Sequence, residues 1–97
     1  MKRDYEVAVV VRLEANEELI NESIEQVKNW IEENELGKVN KIDRWGRRKL
    51  AYEIDRQREG YYVFMYSDID PLHLPELDQN LRLAASVLRY LIVRAEE

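Results

Sequence analysis

The feature that most constrains this chain is its hydrophobic period, which changes between two and about 3.6 residues in a fixed order. Tyr5, Val7, Val9, Val11 and Leu13 alternate with Glu6, Ala8, Val10 and Arg12, the mark of a strand whose second face is only half polar. Asn16 then offers a helix cap, with Glu17 and Glu18 against the positive end of the helix dipole. Leu19, Ile20, Ile24, Val27 and Ile31 follow at helical spacing, and Gly37 is expected to end the helix as a left-handed cap. Val39 to Ile54 reads as a second strand, with a bulge or bend expected at Gly46. Beyond the bulge Arg48, Leu50, Tyr52 and Ile54 share a face. Asp55 to Gly60 reads as a charged turn, and Gly60 to Ser67, almost wholly aromatic or β-branched, as a strand buried on both faces. Pro75 suits the first turn of a second helix that turns Leu77 and Leu81 inward, and Val87 to Ala95 is the last strand, with Arg89 and Arg94 projecting.

The order strand, helix, strand, strand, helix, strand implies one α+β domain over residues 1–97. It is the ferredoxin-like βαββαβ arrangement, a four-stranded antiparallel sheet with both helices on one face. Right-handed crossovers place the first and third strands in the centre. The helices cover one side only. The other should present Ala8, Val10 and alternate residues of the 61–66 segment, and an uncovered apolar sheet face normally marks a binding surface. The long stems of Arg48 or Arg89 could instead fold over it. The sequence leaves open which parity of the third strand faces the helices.

A chain of 97 residues buries roughly 60–65% of its unfolded surface, enough for one core but not for a deep catalytic cavity. Cysteine is absent, which excludes disulfides, thiolate metal sites and thiol catalysis. No secretory signal precedes Tyr5 and no run is long enough to span a bilayer, so a soluble cytoplasmic protein is expected. His73, the single histidine, reads as a solvated turn residue. The serines lack a nucleophile elbow, the carboxylates lack metal-ligand spacing, and the three glycines form no phosphate loop. No enzyme, cofactor or metal site is expected.

Charge carries more information. The net charge is −5, yet Lys41, Arg44, Arg47, Arg48, Lys49, Arg56 and Arg58 face only Asp43, Glu53 and Asp55 in the same stretch. Such segregation creates a local field that the net value hides. The first helix carries Glu18, Glu22, Glu25, Glu32 and Glu33 outward, a face that repels phosphate. Arg47-Arg48-Lys49 lies between Trp45 and Tyr52, and cations beside aromatic rings suit phosphate contact and base stacking. Both rings could equally pack within the protein, and the core is the favoured place for Tyr52. The 60–66 segment is similar to the aromatic strand of RNA-recognition modules, but Glu59 stands at the cation position and Tyr62 at a small-residue position.

Several segments together resemble one family. These are Arg3-Asp4-Tyr5-Glu6, the Trp45–Ile54 stretch with its Leu50-Ala51-Tyr52 motif, Gly60-Tyr61-Tyr62, Leu77–Leu83 and Val87–Arg94. Across essentially the whole chain they are similar to the sixth protein of the bacterial small ribosomal subunit. The resemblance implies the same fold and a structural role on the cytoplasmic ribosome. It implies binding to the central domain of small-subunit ribosomal RNA together with protein eighteen of that subunit; the sequence itself leads to the expectation of neither a membrane nor a small-molecule substrate as partner. By position Arg3, Arg48, Lys49, Arg89 and Arg94 become candidates for RNA or partner contact. Arg47 joins them, although the family often carries an apolar residue there. Ala85, where an acidic residue is common, and Ala15, near a usual proline, depart from the pattern. Dense, regular charge fits a thermophile or an engineered sequence, and the alternative reading is an engineered or isolated scaffold of this fold that no longer binds RNA. A small-molecule regulatory domain or an acyl phosphatase-like enzyme would need an anion-cradling glycine loop, which is missing.

Overall fold

The computed structural model describes residues 1–95. Its elements are β1 (Arg3–Val11), α1 (Glu17–Glu32), a 3₁₀ turn (Glu33–Glu35), β2 (Gly37–Ile54), β3 (Gln57–Ile69), a second 3₁₀ turn (Pro71–His73), α2 (Leu74–Leu83) and β4 (Val87–Arg94). The sheet is antiparallel in the order β2-β3-β1-β4, so the first and third strands are central, as the ferredoxin-like expectation required.

The alternation of β1 sends Tyr5, Val7, Val9 and Val11 into the core, where Val63, Met65 and Ile69 of β3 join them. Ile20, Ile24, Val27 and Ile31 of α1 and Leu77 and Leu81 of α2 close over that face. The parity of β3 is thereby fixed. Val63, Met65 and Ser67 face the helices, while Tyr62, Phe64 and Tyr66 are half-buried on the other side. The expectation of a strand buried on both faces holds for one face only.

Other expectations are corrected. Leu19 is 44% exposed, because the apolar stripe of α1 runs through Ile20 and Ile24 and turns Leu19 outward. Gly37 is not a left-handed cap. Asn34 and Glu35 take the positive φ values, 56° and 59°, and Gly37 instead opens β2 against the Ile31 carbonyl. The six-residue turn shrinks to Asp55 and Arg56, since β3 begins at Gln57. His73 is buried, not solvated: the 3₁₀ turn swings it inward, with Nε2 2.7 Å from the Trp30 carbonyl oxygen. That oxygen can only accept, so Nε2 carries the proton. It satisfies one of the last carbonyls of α1, which lack partners within the helix. Tyr52 is 61% exposed rather than core. The pairing jumps from Lys49↔Glu59 to Ile54↔Gln57, so residues 50–53 span what Arg58 alone spans on β3, and the ring leaves the ladder.

Candidate nucleic-acid interface

Residues paired directly across an antiparallel ladder share a face. The register therefore assigns the uncovered side. Glu6, Ala8 and Val10 lie on it from β1, opposite Tyr66, Phe64 and Tyr62 of β3 and Val93, Leu91 and Arg89 of β4. From β2, Lys41, Asp43 and Arg48 pair with Tyr66, Phe64 and Gly60. Gly46 sits in a bulge with φ 82°, a conformation that favours glycine. The bulge turns Trp45 to the same side, its ring 4.6 Å from that of Phe64 and tilted by 44°.

This face is apolar; it is most exposed along the edge strands, while Val10 at its centre is buried. Leu91 is 60% exposed, Trp45 54% and Val93 45%. Ala8, Val10, Tyr62, Phe64, Arg89 and Leu91 line a shallow groove of about 220 Å³. Cations rim it. Lys41 Nζ lies 5.7 Å from the centre of the Tyr66 ring. The Arg89 guanidinium lies 5.9 Å from the Tyr52 ring, and its Nη1 donates to the Tyr52 hydroxyl at 3.4 Å. Partial burial, then the Glu6 and Asp43 carboxylates, raise the Tyr66 hydroxyl above the ordinary tyrosine range, so it stays neutral. At the far end of the sheet, hydrogen bonding with Asp4 and then Asn40, aided by Lys38 and Lys2, holds Asp68 below the usual carboxylate range.

The six candidate cations divide. Arg48 and Arg89 lie on the open face, Arg89 against the exposed Tyr52. Arg47 pairs with Tyr61 and Lys49 with Glu59, which puts both on the helix-facing side of the hairpin. Arg47 Nη2 there forms an ion pair with Glu59 at 2.8 Å. Arg3, opposite Ile69, and Arg94, opposite Tyr5, fall on the helix-facing side at the other end of the sheet. Lys41 and Arg44 belong to the basic stretch read from the sequence but lie outside the six candidates. Arg44 lies 5.3 Å from the Tyr61 ring and bonds Asn21 of α1. The bulge at Val39/Lys41 hides from simple parity that Lys41 comes up beside Tyr66.

Among the described residues, no group of three or more histidine, cysteine or carboxylate side chains could hold a metal ion, and no helix is long and apolar enough to cross a membrane. What the face offers is apolar area, stacking rings and guanidinium groups, the chemistry of docking rather than of bond making.

Residues 4–94 match the family model described as ribosomal protein S6. The chain is 45% identical over 96 residues to small ribosomal subunit protein bS6 of Alkaliphilus metalliredigens, covering 96% of this chain and 97% of that protein. It is 42% identical over 97 residues to the bS6 protein of Carboxydothermus hydrogenoformans, covering the whole of both. The crystal structure of 30S ribosomal protein S6 from Thermotoga maritima matches with a TM-score of 0.87 at 35% identity, over 97% of this chain and 88% of that one. With the fold, the open sheet face and these relatives in agreement, the chain belongs to the ribosomal protein S6 family.

Proposed function

We propose that this protein is a structural component of the small ribosomal subunit that binds the central domain of its RNA jointly with small-subunit protein eighteen. The observation that carries the reading is the uncovered sheet face, apolar at its centre and cation-rimmed beside the β2–β3 hairpin. The apolar strip through Ala8, Phe64 and Leu91 suits a protein surface, because it offers buried area and few hydrogen-bonding groups. Arg48 and Arg89, with the exposed rings of Trp45 and Tyr52, suit phosphates and unpaired bases. Lys49 and Arg47, on the other side of the hairpin, act as flanking charge. Arg3 and Arg94 take a secondary part at the far end.

The test is a titration of the ribosomal RNA junction with and without protein eighteen. Affinity should be greatest with both present and should fall steeply with salt as counterions are released. The Arg48→Ala, Lys49→Ala pair should weaken binding and reduce the salt slope by about two, with Arg48→Ala alone the more harmful change. Unchanged binding by the pair would remove the site assignment. No binding by the unaltered protein, even with protein eighteen, would remove the functional reading.

A further inference from the structure

The tip of the β2–β3 hairpin lies beyond the paired sheet, yet contacts from other strands hold it. β2 and β4 are opposite edges of the sheet, and still Tyr52 of the bulged 50–53 segment meets Arg89 of β4. The second contact comes from Arg12, directly after β1. Its backbone N–H donates to the Ser86 carbonyl at 2.8 Å and its Nε–H to the Ala85 carbonyl at 3.1 Å. These two bonds fix the root and stem of the side chain on the turn before β4. The remaining end of the fork, Nη2, forms an ion pair with Oδ2 of Asp55. Asp55 and Arg56 are the two turn residues, with φ 48° and 65°. This is a left-handed pair, a conformation that asparagine, aspartate and glycine tolerate, so Asp55 suits its place and Arg56 strains the turn. The outside contact on Asp55 therefore adjoins the strained residue of the turn.

We propose that Arg12 is a positioning residue for the RNA contact: it holds Asp55 so that the 50–53 bulge stays folded toward Arg89. The proposal rests on the reading that the hairpin and Arg89 meet RNA. It does not require Arg12 to touch the RNA. Asp55 is 66% exposed and the Arg12 side chain 26%, so the pair adds little to global stability. Its effect lies in local order.

Asp55→Ala provides a sharp test. It removes a negative charge from a basic hairpin, so electrostatics alone would tighten RNA binding. Loss of positioning would weaken it instead. The expected result is binding about three- to fivefold weaker, the most that one well-oriented exposed pair produces. Amide hydrogen exchange over residues 50–56 of the free protein should quicken, with the thermal midpoint nearly unmoved. Arg12→Lys keeps the charge but loses the fork that spans Ala85 and Asp55, and should act in the same direction. Combining the two should add nothing further, because each breaks the same contact. Alanine at the positive φ of Asp55 also loosens the turn by itself, so Arg12→Lys decides. Equal or tighter binding by Asp55→Ala or by Arg12→Lys, or unchanged exchange at 50–56 in Arg12→Lys, overturns the proposal. If the unaltered protein fails to bind RNA, the functional reading and the positioning role both fall, while the exchange data separately decide whether the tip is clamped.

Discussion

Tyr90 and Asp78 show how much one hydrogen bond can join. The Tyr90 hydroxyl donates to Oδ1 of Asp78 at 2.7 Å, and Arg82 Nη2 approaches Oδ2 at 2.6 Å. The Tyr90 bond first, then the Arg82 charge, keeps the Asp78 carboxyl below its ordinary range. The same bond, aided by burial and the Asp78 charge, raises Tyr90 above the usual tyrosine range. The signs follow. A depressed carboxyl contributes stability that is present above the unfolded value of about 3.9 and lost as pH falls through the folded value. A raised tyrosine contributes stability that is present below about 10 and lost as pH rises through its folded value. Tyr90→Phe should therefore lose stability relative to the unaltered protein around neutrality, and the deficit should shrink in both acid and alkali. Urea midpoints across the pH range measure it. A deficit independent of pH would show that the loss does not come from the bond between the Tyr90 hydroxyl and the ionised Asp78 carboxylate.

At the scale of elements, the joint between α1 and β2 decides where the sheet begins. A β-carbon on Gly37 would collide with the carbonyl oxygen of Ile31, a backbone atom that cannot swing aside. Beside this joint Glu32 accepts from the Val39 N–H at 3.0 Å. Gly37→Ala should destabilise by about 1–3 kcal/mol, the usual cost of overpacking. The denaturant midpoint should fall with its slope unchanged. An unaltered midpoint would mean that the joint opens freely. Elements were legible where one period dominates: β1 alternates through Tyr5, Val7, Val9 and Val11, and the stripe of α1 repeats through Ile20, Ile24, Val27 and Ile31. The site was less legible. Arg89 and Arg94 are five residues apart in a strand and so point to opposite faces, which parity alone could have shown. Tyr52 and Lys41 depend on bulges whose register only the partner strand sets. The parity of β3 was hidden because Tyr61 to Tyr66 is apolar or aromatic at every position. His73 was misread because its acceptor, the Trp30 carbonyl, is 43 residues away in the chain.

For the whole molecule, the open sheet face and the acidic outer face of α1 point in opposite directions across a body whose shortest extent is 22 Å. Glu22 and Glu25 are exposed on that outer face. At about 0.15 M salt the Debye length is about 8 Å, far less than this thickness, so charges on α1 should scarcely reach RNA bound to the sheet. At about 0.01 M it grows to about 30 Å, and the two faces then act together. Replacing Glu22 and Glu25 by lysine should therefore leave affinity for the ribosomal RNA junction within about twofold near physiological salt. At low salt the same change should strengthen binding to an unrelated RNA duplex, because the helix layer then offers phosphate a second approach. Titrating both RNAs at both salt concentrations separates these effects. A large change in junction affinity at physiological salt would place RNA against the helices. That outcome would contradict an interface built on the open sheet face, because α1 lies on the side of the sheet away from Phe64 and Leu91.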